Sequence, residues 1–193
     1  MAEKKKRPGR RDYLNDFHQN VAGEYVYTGT HYIYNVEKKS YRAHLTCLWV
    51  FGALAMACAI VGGCLPHVHF DKVPYVLVPY TVSLVACGMT LYALARMSSG
   101  GGTLRSYVYK STVAKLPART LVTAIAAGLT FVASVVAAVV GSLAGETGMI
   151  CIFSCTQGAL CCFSLLAYRE NRVSHWTENG KNDGICANVP GTD

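Results

Sequence analysis

Charge is missing where this chain is longest and most apolar. Over four stretches, 43–65, 75–97, 121–143 and 149–168, there is no Asp, Glu, Lys or Arg except Arg96, one residue from the end of the second. A run of about 20 apolar residues crosses a bilayer core as a helix, because every backbone polar group is then satisfied inside the segment. Residues of hydrophobic type make up 52% of the chain and charged ones 15%, with mean hydropathy +0.26. A soluble domain has no use for four such runs. The missing intramembrane charge also counts against a proton-coupled transporter, which usually retains a costly buried ionisable group for its work.

Catalytic signatures are missing too. The sequence contains no Cys-x-x-Cys, no phosphate-binding loop, no His-Glu-x-x-His and no Gly-x-Ser-x-Gly. Thiol–disulfide chemistry needs an activated thiolate with a resolving neighbour. Cys151 and Cys155 share a helix face that aims their Cβ atoms poorly for a bond, and Cys161-Cys162 is merely vicinal. Nine cysteines, eight of them inside the spans, behave as small buried hydrophobes and not as a secreted disulfide framework. No Asn-x-Ser/Thr acceptor occurs. Residues 1–42 hold no apolar core of a cleavable signal, so the first span is expected to act as its own insertion signal.

Acidic residues are scarce, 11 against 18 Lys and Arg, for a net charge of +7. In a soluble protein that balance would point to nucleic acid. Here the cations flank apolar spans, so anionic lipid headgroups are the expected partner. Nine fall in 1–42, five in 96–119 and three in the tail, whereas the two intervening links hold only Lys72. That asymmetry places both termini and the loop 98–120 in the cytoplasm, most naturally at the plasma membrane.

What the chain does have is small residues in register. Along 121–143 they recur every fourth position at Ala126, Thr130, Ser134, Ala138 and Ser142, with Ala133, Ala137 and Gly141 beside them. Such stripes let membrane helices approach closely, where van der Waals contact drives association. This third span is therefore expected to be the packing spine, through Ala126, Thr130, Ser134, Ala138 and Gly141. In the fourth span the main polar residue is Gln157, flanked on its face by Ser154, Cys161 and Ser164, which predicts interhelical hydrogen bonding. The second span opens on Pro74, which suits a helix start, while Pro79 predicts a kink or a shifted boundary.

Outside the spans, the basic tip 1–11 reads as a solvated tail and topology signal. Residues 12–22 carry Tyr13, Leu14, Phe17 and Val21 at near-helical spacing and predict a short surface helix. Tyrosines and β-branched residues alternate over 24–36, EYVYTGTHYIYNV, and similarly over 105–113. Both segments read either as strands, a small hairpin and a cytoplasmic sheet, or as a tyrosine belt at the headgroup layer. The tail 169–193 is expected to be poorly ordered apart from an interfacial Trp176. A faint echo between Cys87–Ala93 and Cys161–Ala167 would suit an old duplication of hairpins, although coincidence in apolar, small-residue sequence explains it more simply.

One cluster carries possible metal chemistry. Cys64, His67, His69 and Asp71 lie within eight residues at the outer end of the first span, with Cys151 opening the fourth on the same side. Thiolate, imidazole and carboxylate form a ligand set for Zn²⁺ or Cu²⁺, although an ordinary polar turn explains it as simply.

The sequence thus predicts an all-α membrane protein: a cytoplasmic segment 1–42, a four-helix transmembrane bundle 43–168 and a cytoplasmic tail 169–193. Function is expected to be non-enzymatic, scaffolding or modulating a membrane partner or a second copy. The alternatives are a transport or channel subunit with its pathway between protomers, and metal sensing or handling at the outer loop.

Overall fold

The computed structural model describes residues 17–19, 25–27, 30–34, 38–65, 73–141, 147–172 and 176–179. Short strands β1 (Phe17–Gln19), β2 (Tyr25–Tyr27) and β3 (His31–Tyr34) precede helices α1 (Lys38–Gly63) and α2 (Pro74–Ser98). Strand β4 (Thr103–Arg105), helix α3 (Ser106–Ser111) and a 3₁₀ turn lead into α4 (Leu116–Val140), α5 (Thr147–Arg172) and β5 (Trp176–Asn179). Among the described residues, four helices are long and apolar enough to cross a membrane.

Helices α1 and α4 start before their uncharged stretches and α5 runs past its own, because cations tolerated at a helix end do not stop it. The spine helix α4 starts at Leu116, five residues before the expected Leu121, with Pro117 in its first turn, where the missing N–H costs nothing. It ends at Val140 and not Leu143. Gly141 takes φ +72°, and its N–H caps the carbonyls of Ala137 and Ala138; that left-handed conformation is cheap only without a Cβ. Helix α2 runs unbroken from Pro74 through Pro79 to Ser98, so the second proline removes a backbone bond without ending the helix.

The helices pack in a ring in which sequence neighbours touch and α5 returns to α1; the α1–α2 seam is the thinnest. The links 64–73 and 141–146 are short enough to enforce antiparallel neighbours. At mid-height the ring closes on small residues, with Ala59 and Ala127 fully buried beside Leu160. Larger side chains fill the two ends. Phe153, Val76 and Tyr80 pack at one, and Leu48, Leu94, Met97 and Leu116 at the other. Valines, leucines and isoleucines such as Ile125, Leu129, Val132 and Val136 remain exposed outward, a surface suited to hydrocarbon.

A three-stranded antiparallel sheet, in the order β4–β3–β5, covers the end that bears Leu48 and Met97. Its register sets Tyr32 opposite Leu104 and Glu178, and Tyr34 opposite Trp176. Among the described residues of the tyrosine-rich segment 24–36, β2 and β3 do not pair with each other. Strand β2 turns back to pair with β1, Phe17 opposite Tyr27, whereas β3 pairs with the central loop and the tail. Phe17–Gln19 is accordingly strand where a surface helix was expected, and Trp176–Asn179 is ordered strand within a tail expected to be loose. Of the segment 105–113, only Arg105 lies in a strand. The Ser106 N–H bonds the Thr30 carbonyl, and helix α3 begins there.

Candidate functional site

Among the described residues, most of the aromatic contacts gather at the sheet-covered end. Tyr34 on β3 is buried and meets Tyr41 of α1, His44 of α1 and Trp176 of β5, with ring centroids 5.1, 5.9 and 5.3 Å away. Trp176 also contacts Tyr109 of α3, and Tyr109 stacks on Tyr32 at 3.9 Å. These rings glue the sheet to the bundle through area and quadrupole geometry together. The Tyr41 hydroxyl donates to the Met97 carbonyl at 3.4 Å, closing the thin α1–α2 seam. His44 Nδ1 stands 3.8 Å from the Glu170 carboxylate of α5. Burial, and then the charge of Glu170, pushes the Tyr34 hydroxyl above its ordinary pKa, so it stays neutral at physiological pH.

Two clefts flank the turn that joins α2 to β4. One, of about 640 Å³, lies between Tyr34, Tyr41, Arg42 and Gly101–Thr103. The other, of about 360 Å³, lies between the end of α2 and the start of α3 and is lined by Arg96, Ser99, Thr103, Arg105 and Tyr107. The turn is held to the sheet by the Tyr34 N–H, which donates to the Gly102 carbonyl at 3.1 Å.

Within the bundle, the buried polar residues are Ser, Thr, Gln and Asn, with no charged group among the described residues. Thr90, Thr120, Thr123 and Thr130 each donate to a carbonyl one turn back on their own helix. Such back-bonding satisfies a hydroxyl in a place without water. The hydroxyls of Ser134 on α4 and Ser154 on α5 lie 2.9 Å apart and bond across the seam.

Of the predicted packing stripe, Ala126, Thr130 and Ser134 lie in the interior, but the inward row then passes to Ala137, and Ala138 and Gly141 are exposed. A strict spacing of four drifts around a 3.6-residue helix, so a buried row must alternate fours and threes. Gln157 is completely buried, yet neither its amide nitrogen nor its oxygen has a hydrogen-bond partner. The interhelical bond expected of it is made one turn away by Ser154. Gly62 of α1 gives the amide its space, since a Cβ there would come within 2.8 Å of the Gln157 nitrogen.

In the candidate metal cluster, Cys64 is an exposed free thiol, and Cys151 is another. His67, His69 and Asp71 lie outside the described residues, among which no group of three or more metal-ligating side chains occurs. Sequence reasoning missed the aromatic assembly and the two-arginine cleft. Tyrosine content signalled an interface, but the partners come from residues as distant as 34 and 176.

No known protein family matches the chain, and no curated protein or solved structure is similar to it.

Proposed function

We propose that this chain is an integral plasma-membrane protein with both termini cytoplasmic, acting as a non-enzymatic scaffold or modulator of a membrane partner. The observation that supports this reading is the closed, uncharged interior of the bundle. The void between Phe51, Ala55, Thr90, Thr123 and Ser164 amounts to about 10 Å³, the space of a single water. Thr90 and Thr123 beside it spend their hydroxyl protons on their own helices. Among the described residues the bundle interior offers a solute no charged way-station, and most of the ring contacts lie at the sheet-covered end. That distribution suits a protein read by others at its cytoplasmic face.

Reconstitution separates this reading from a transport subunit. Purified protein in liposomes is expected to give no specific flux of ions or small solutes, and crosslinking in the native membrane is expected to trap a defined partner or a second copy. Specific flux by the protein alone would overturn it.

A further inference from the structure

We propose that the smaller cleft at the α2–β4 turn is a binding site for the phosphate of an anionic lipid headgroup. Two cations from different elements open onto it, Arg96 from the last turn of α2 and Arg105 from β4, and none of the described residues that line it is acidic. Strand alternation decides the second. Leu104 is buried in the bundle, so Thr103 and Arg105 must share the opposite, exposed face. Helix geometry decides the first, because Arg96 and Ser99 are three residues apart and stand on one side of the α2 terminus. Gly101, at φ +62°, folds the chain back between them. Thr103 and Tyr107 line the same cleft, whereas the Ser99 hydroxyl there donates to the Ala95 carbonyl at 3.0 Å. Guanidinium forks with hydroxyl donors are the chemistry that receives phosphate oxygens.

A free phosphate would satisfy the same groups, and the surface beneath the cleft argues for lipid. Val85, Met89 and Tyr92 are exposed and follow one another at spacings of four and three up the α2 face that ends in Arg96. An apolar strip leading into a cationic cleft at the end of a span has the shape of an amphiphile: chain along the helix, headgroup between the arginines. Basic pockets at the cytoplasmic edge of helices bind headgroups in this way. The inference goes beyond the scaffold role and rests on the membrane placement proposed with it.

The test uses full-length protein in nanodiscs of phosphatidylcholine with increasing phosphatidylglycerol, with native mass spectrometry counting retained lipid. Saturable retention of phosphatidylglycerol is expected, and the R96Q/R105Q pair should weaken it about tenfold or more. Lys115→Gln, an exposed cation outside the cleft, should leave it unchanged. Equal loss in Lys115→Gln, or no loss in the arginine pair, overturns the proposal. If the double variant fails to fold, the single variants R96Q and R105Q should each show a several-fold loss, and normal retention in both overturns it. Arginine-dependent binding of inorganic phosphate in pure phosphatidylcholine nanodiscs, without any preference for phosphatidylglycerol, would assign the cleft to a free anion and overturn the lipid assignment.

Discussion

Tyr32 of β3 and Tyr109 of α3 lie ring on ring, 3.9 Å between centroids and 7° between planes. The stack joins the sheet to the segment that launches the spine helix, so it couples the cap to the bundle. Removing it should release the sheet and leave the helices standing. Tyr109→Ala is expected to lose the pair energy, about 0.5–1.5 kcal/mol beyond area burial. Hydrogen exchange should quicken at 31–34 and 103–105, with Trp176 emission shifting to the red. Unchanged exchange in β3 would show that the stack holds nothing.

The α4 seam gives a position-by-position test. Ser134 and Ala137 are fully buried, whereas Val135 and Ala138 face outward. Leucine at either buried position has no room, and overpacking costs about 1–3 kcal/mol. Leucine at 135 or 138 should be nearly silent. Denaturation in mixed micelles would rank the four variants, and sensitivity at 138 equal to that at 137 would contradict this placement.

The four helices were legible because hydrocarbon demands a simple pattern, long uncharged runs, and each helix satisfies it alone. Their ends were less legible. Arg119 lies inside α4 and Lys38 inside α1, since charge at a membrane edge marks an environment and not a helix boundary. The sheet was half legible. Alternating tyrosines announced strands at 25–27 and 31–34, but nothing local says that His31 pairs with Arg105 on one side and Asn179 on the other. Segment 105–113 carries the same composition yet becomes helix once Ser106 is bonded to Thr30. Tertiary partners decided between two states that propensity left open. The arginine cleft was invisible for the same reason, as its two cations come from a helix end and a strand that only the fold brings together.

Gln157 offers a test of what the core tolerates. Its amide is buried against Gly62 without a partner, and an unsatisfied buried polar group costs about 1–3 kcal/mol. Gln157→Leu, close in volume, should therefore be neutral or stabilising. Gly62→Ala should destabilise, because the new methyl meets the amide nitrogen, and Gln157→Ala in the same chain should relieve part of that loss. Thermal unfolding of the single and double variants measures the coupling. A clear loss of stability in Gln157→Leu would mean that the amide is bonded in the folded protein after all.

Orientation is the last expectation and follows from the charge asymmetry together with the fold. In sequence, seventeen cations fall in the N-terminal segment, the central loop and the tail, and one, Lys72, falls in the intervening links, so the sheet end should be cytoplasmic. Cys64 is an exposed native thiol at the opposite end of α1, which supplies a reporter without adding a residue. In a background where the other cysteines are serine or alanine, Cys64 should react with an impermeant maleimide from outside intact cells. Cysteine placed at Thr30 or Tyr107 should react only after the membrane is opened. Labelling of Cys64 only from inside, with positions 30 and 107 open from outside, would invert the protein. It would put the Arg96–Arg105 cleft against the outer leaflet.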